Sequence, residues 1–264
     1  MLTIDGRNID CIESGEGPAV LFIPGSYSTA SAWRQVQRGL APGHRLVTTS
    51  LCGYGGTSDS RTAQDFGMQH EVRVVEAMAR HVDAPVHLVG HSFGGMVALA
   101  AALSGRVDVA SLALFEANPI ALIRSHGDGV LYQETLRMSR GFESAVAAGE
   151  PDAPSRIIDF WGGAGVYAAM PEPVRAYCRQ TSSVNVLDWR TAFGFDVAPA
   201  DLAALQIPVL LVRGALANPA MAQMTDLMAA HLPDVRPVVV EGAGHFLITT
   251  HAAQCAALLD SFLP

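Results

Sequence analysis

In the run VHLVGHSFGGMVALAAALSG, residues 86–105, a short apolar stretch meets a Gly-x-Ser-x-Gly turn and then an Ala- and Leu-rich segment. Val86–Val89 reads as a buried strand, and the segment beyond the turn reads as a helix, since Ala and Leu lose little on entering one. A serine at the tip of so sharp a strand-to-helix turn is crowded by backbone. Gly90 and Gly94 remove side chains where they would obstruct it, and Gly95, Ala98, Ala101 and Ala102 allow the helix to lie close on a sheet. Entry into the helix directly after Ser92 aims free amides and the positive end of its dipole at the serine. Ser92 is therefore the candidate nucleophile.

The rest of the chain supplies more elements of the same kind. Leu2–Ile4 and Asn8–Glu13 flank Asp5-Gly6 and predict an opening hairpin. Ala19–Ile23, Arg45–Thr49, Val109–Phe115, Pro208–Val212 and Arg236–Val240 read as strands. Helical segments are expected over Ser31–Leu40 (with Ser31 as N-cap), Phe66–His81, Pro219–His231 and His251–Phe262. Strands alternating with helices predict an α/β fold with a mostly parallel central sheet covered by helices on both faces. Between Pro119 and Ala200 the alternation stops, and prolines together with Gly162-Gly163-Ala164-Gly165 predict short helices and loops. The expected organisation is a core of residues 1–118 and 200–264 interrupted by a helical cap, or lid, over 119–199.

Composition narrows the chemistry. The 264 residues are half apolar, 16% charged and carry a net charge of −8, a balance that disfavours nucleic acid and anionic membrane surfaces as partners. All 17 basic residues are arginine, which removes Schiff-base chemistry, pyridoxal phosphate tethering and a P-loop lysine. Cys11, Cys52, Cys178 and Cys255 have no pairing or metal-like spacing and read as reduced thiols; no metal and no cofactor is expected. Neither a signal peptide nor a bilayer-spanning run is evident, so the expected location is cytoplasmic, as a monomer or homodimer.

Four motifs together, in order along the chain, resemble the α/β-hydrolase fold: Ile23-Pro24-Gly25-Ser26, Cys52-Gly53-Tyr54-Gly55, Gly90–Gly94 and Gly242-Ala243-Gly244-His245. The resemblance covers essentially the whole chain. It implies an oxyanion hole from the backbone amides of Ser26 and Phe93, and His245 as the base that takes the Ser92 proton.

The acid is less regular. The loop where the family commonly carries it reads Arg213-Gly214-Ala215-Leu216-Ala217-Asn218-Pro219 and has no carboxylate, with Asn218 standing near the usual Asp. A branch that includes haloalkane dehalogenases places the acid after the preceding strand, where this chain has Glu116, a carboxylate closing a strongly apolar strand. An unpaired charge there would cost several kcal/mol, and a histidine partner would remove that cost. Glu116 is therefore the expected acid, and Asn218 the alternative. Dehalogenases themselves use Asp at the elbow.

Nine of the 18 aromatic residues fall between Pro119 and Ala200. Most are expected to form the core of a small cap, with some facing the serine in an apolar pocket. Tyr27, Phe160, Trp161 and Phe246 are the candidates for that pocket. Arg124, Arg156 and Arg190 are either carboxylate ligands or surface ion pairs. The expected activity is cofactor-free cleavage of a small or medium apolar ester, lactone or related acyl compound through a Ser-His-Glu triad. Carbon–carbon bond hydrolysis and a weakly hydrolytic ligand receptor are the alternatives.

Overall fold

A computed structural model describes residues 1–4 and 6–264. Nine strands are present among them: β1 (Leu2–Ile4), β2 (Arg7–Ile9), β3 (Ile12–Ser14), β4 (Ala19–Ile23), β5 (Arg45–Thr48), β6 (Val86–His91), β7 (Val109–Phe115), β8 (Val209–Gly214) and β9 (Val235–Val240). Seven form one sheet in the order β3-β5-β4-β6-β7-β8-β9. Every pairing in it is parallel except β3 with β5.

The apolar strand runs arise from burial on both sides. Along β4, Leu21 and Ile23 join one core while Val20 and Phe22 join the other; Leu112 and Leu114 of β7 alternate with Ala113 and Phe115 in the same way. Side chains alternate with period two, so only a strand apolar at every position can serve two cores. One layer holds the helices Gln69–Val82, Phe93–Leu103 and Pro219–His231, and the other holds Trp33, Val36 and the C-terminal helix Ala252–Asp260.

Several local expectations are corrected. The segment expected to pair as Asn8–Glu13 divides: β2 pairs antiparallel with β1, whereas β3 leaves to pair with β5. Asp5 of the expected turn lies outside the described residues. Ser31 does not cap a helix; Thr29 does, accepting from the Ser31 amide, and a 3-10 turn over Ala30–Trp33 precedes the helix Arg34–Arg38. The second helix begins at Gln69 instead of Phe66, beyond Gly67. The last one runs over Ala252–Asp260, close to its expected range, and is preceded by a short unexpected helix over Leu247–Thr250.

Between β7 and β8 the chain is helical from Ile120 to Ala203, and one helix, Gly129–Ala147, is 19 residues long. Its start is set by Asp128, whose side chain accepts from the Val130 amide. A cap aspartate between two glycines reads as loop in sequence, and that hid the longest helix.

Candidate active site

The Gly-x-Ser-x-Gly turn joins β6 to the helix Phe93–Leu103. Ser92 sits at φ 55, ψ −126, a region that non-glycine residues enter only when their surroundings compel it. The flanking glycines are required by close approach. A Cβ on Gly94 would collide with the Pro24 carbonyl oxygen, and one on Gly90 would lie 2.5 Å from the carbonyl oxygen of Gly94.

His245 lies beyond β9 and comes to the same edge of the sheet. Its Nε2 lies 3.0 Å from Ser92 Oγ. Its Nδ1 lies 2.7 Å from Glu116 Oε2, at the end of β7. With Nδ1–H donating to the carboxylate, Nε2 is left as the acceptor for the serine hydroxyl. Glu116 has φ 48, is fully buried, and its other oxygen accepts from the Gly214 amide at 2.8 Å. Burial by itself would raise its carboxyl. The His245 hydrogen bond and charge and the Gly214 amide outweigh that and hold it below the usual range.

Asn218 is spent elsewhere. Its Oδ1 accepts from the Ala220 amide as the N-cap of the helix Pro219–His231, and its Nδ2 donates to the Phe160 carbonyl. His91 donates through Nε2 to the His245 carbonyl at 2.8 Å. Burial, and then the proximity of His245, push the His91 ring down to about 3, so it is neutral. It therefore supports the backbone that carries His245.

The Ser26 amide has no acceptor among the described residues, and the Phe93 amide belongs to the first helical residue, which has no partner one turn back. The Ser26 loop comes close under the serine: a Cβ on Gly25 would stand 3.0 Å from Ser92 Cβ.

Above these groups is a cavity of about 160 Å³, reached by Ser92, Phe93, Ser26 and His245 from the sheet edge. Tyr27, Trp161 and Phe246 line it as expected, whereas Phe160 does not. Phe160 packs edge-on against Trp161, with ring centroids 4.9 Å apart, and so stands behind the wall. Arg124, Arg156 and Arg190 do not line it either; they pair with Asp196, Glu150 and Glu143.

Most of the wall comes from residues that sequence reasoning did not single out, among them Ile157, Ile158, Met170, Cys178, Trp189 and Ala192. Trp161 and Trp189 are stacked, 6.0 Å apart and 4° from parallel, and Trp161 flanks the His245 ring at 5.8 Å.

Asp188 was also missed. It is 1% exposed, touches the cavity, and accepts from Ser26 Oγ at 2.6 Å, Tyr54 OH at 2.6 Å and Arg61 at 2.7 Å. The one signal in sequence was a single acid within the uncharged run Thr181–Trp189. Arg61 also meets Asp59 and Glu71. Burial pushes the Glu71 carboxyl up to about 7 against the pull of Arg61.

Away from this edge, Cys11, Glu13 and His81 bring ligand-type atoms within 4.8 Å of one another. Both oxygens of Glu13 are already taken, by Arg45 at 2.5 Å and His81 at 3.0 Å. Among the described residues, no helix is long and apolar enough to cross a membrane.

A sheet of this order, with a serine, a histidine and a carboxylate meeting where its central strands end, defines the α/β-hydrolase class. The model of the Alpha/beta hydrolase family matches residues 20–258, and the chain belongs to that family. It is 26% identical to a fluoroacetate dehalogenase of Burkholderia sp over all of this chain and 92% of that one. It is 22% identical to a pimeloyl-[acyl-carrier protein] methyl ester esterase of Aeromonas hydrophila over 94% and 96% of the two chains. A thermophilic esterase from Thermogutta terrifontis superposes with a TM-score of 0.77 at 20% identity, covering 97% of this chain and 93% of that one. At that identity the likeness is one of fold.

Proposed function

We propose that the protein is a serine hydrolase of small, apolar acyl esters or lactones, acting through Ser92, His245 and Glu116. The observation that carries this is the unbroken line of short contacts from Ser92 Oγ through the His245 ring to Glu116. His245 Nε2 takes the hydroxyl proton as Ser92 Oγ bonds to the substrate carbonyl carbon, and the carbonyl π pair moves onto oxygen. The amides of Ser26 and Phe93 hold that oxyanion. Collapse expels the leaving oxygen, which receives the proton from His245, and water then cleaves the acyl-enzyme by the same steps. The negative charge of Glu116 stabilises the imidazolium formed on the way.

The helices of residues 119–199 act as the cap that closes the cavity and limits what enters. A cavity of about 160 Å³ is close to the size that accommodates a benzene ring, so it suits a short acyl chain or a single ring. Trp161, Trp189, Ile157 and Ile158 make burial of apolar atoms the source of binding, worth about 25 cal/mol per Å².

Dehalogenation is disfavoured by the same serine. Displacement of halide by a hydroxyl leaves an ether, which has no carbonyl for water to attack, so the enzyme would stop after one turnover. Glu116 beside His245 supplies the carboxylate that the loop of Asn218 lacks, which favours hydrolysis over a receptor role.

The test is labelling with a fluorophosphonate and then intact-mass analysis, alongside hydrolysis of p-nitrophenyl acetate. A stoichiometric adduct that is lost in Ser92→Ala is expected. An unlabelled, inactive wild-type protein would overturn the proposal.

A further inference from the structure

We propose that Asp188 is a positioning residue for the oxyanion hole: carried by the helix Ser182–Gly194, it holds Ser26 in place, so that the hole is complete only when this helix is seated. The inference rests on the serine-hydrolase reading above and concerns how that site is assembled.

The Ser26 loop is not at rest by itself. The next residue, Tyr27, has φ 59, a left-handed conformation that a tyrosine keeps only when its surroundings hold it there. From below, the loop presses on the nucleophile turn through Gly25 and through the Pro24 carbonyl against Gly94. From above, the only side-chain bond to Ser26 among the described residues is the 2.6 Å one from its Oγ to Asp188 Oδ2.

Asp188 is in turn fixed. The same oxygen accepts from Tyr54 OH, and Oδ1 meets Arg61, whose guanidinium also donates to Asp59 and to the Cys52 carbonyl. The helix comes close enough because Gly53 has no side chain: a Cβ there would stand 2.7 Å from Val184. Burial pushes the Asp188 carboxyl up, while Arg61 and the two hydroxyls favour its ionised form. Taking a carboxylate out of water costs several kcal/mol, and an apolar residue would attach a cap helix without that cost. What a carboxylate adds is direction, since it accepts two hydroxyls and a guanidinium in fixed geometry.

The experiment compares wild type, Ser26→Ala, Asp188→Asn and the double variant on p-nitrophenyl acetate, with phenylboronic acid as an inhibitor that becomes tetrahedral on the serine. Each single variant should lose about tenfold or more in kcat with KM changed less than about threefold, below the about 10²–10³ lost when an oxyanion donor is removed outright. Affinity for the boronic acid should fall by a similar factor. The double variant should be no worse than Asp188→Asn, because both changes remove one linkage.

Folded single variants with wild-type kcat and boronate affinity would overturn the proposal, as would strictly additive losses or losses confined to KM. If Asp188→Asn fails to fold, Ser26→Ala decides alone, since it leaves the Asp188–Arg61 pair intact. Wild-type protein without labelling or turnover would instead mean that the serine-hydrolase reading itself had failed.

Discussion

Glu116 Oε2 lies 2.7 Å from His245 Nδ1 although 129 positions separate the two residues in sequence. The contact exists because β7 pairs with β8 and β8 with β9, so that the ends of β7 and β9 emerge along one edge two strands apart. Glu116 has turned through a left-handed φ to reach the ring.

Replacing Glu116 by Gln should therefore lower kcat by roughly 10²–10⁴, because an amide cannot stabilise the imidazolium. Asn218→Ala should leave kcat within about twofold and cost about 1 kcal/mol of stability through the lost helix cap. Steady-state kinetics and thermal melts of the two variants check both statements, and the reverse ranking would move the acid to the other strand.

Strain at Ser92 gives a second expectation. Both Ser92→Ala and Ser92→Gly should abolish turnover, but only glycine adopts φ 55, ψ −126 without steric conflict. The glycine variant should be the more stable by about 1 kcal/mol, the low end of what such a conformation stores. Differential scanning calorimetry should show it melting a few degrees above the alanine variant.

His91 should shape the acid limb of stability. Its folded pKa of about 3 lies below the unfolded value of about 6.5, so the folded state binds fewer protons between them. Stability from this group is fully present above about pH 6.5 and is lost as pH falls toward 3, by on the order of a few kcal/mol. Glu71, with a folded pKa of about 7, acts in the opposite sense, since the folded state takes up its proton first as pH falls from 7 to about 4.5. In His91→Gln, which keeps a donor for the His245 carbonyl, the melting temperature should fall less between pH 6.5 and 4 than in wild type. An unchanged slope would mean that His91 is not the group responsible.

The lining of the cavity gives an expectation for substrate choice. Among the described residues, the lining contains no arginine and has Asp188 as its acid. Esters of acetate and butyrate should be preferred over octanoate, which exceeds the space. A hemisuccinate ester, whose carboxylate would meet Asp188 in a desolvated site, should lose about 10²-fold or more in kcat/KM relative to butyrate. A comparison of p-nitrophenyl esters measures this directly.

The Gly-x-Ser-x-Gly turn was legible because its requirements are local, and the loops of Ser26 and His245 because their glycine motifs resemble those of the α/β-hydrolase fold. Gly90, Gly94 and Gly25 are read from the chain since a side chain at each would strike neighbouring backbone or the serine. The helix Pro219–His231 was legible from its pattern, whereas its N-cap, Asn218, was not. The resemblance to the α/β-hydrolase fold left two places for an acid, and the tertiary structure brings Glu116 beside His245 while committing Asn218 to a helix end.

What no local pattern carried is the wall of the cavity. Phe160 and Trp161 are adjacent and both aromatic, yet only one faces the serine, because which side of a short helix is covered depends on the elements packed around it. Asp188 and Arg61 lie 127 positions apart, and nothing in either neighbourhood announces the other. Backbone demands at glycines and strand periodicity belong to a few consecutive residues and so can be read from the chain. Which carboxylate meets which base depends on the order of strands and the seating of helices, and that belongs to the folded molecule.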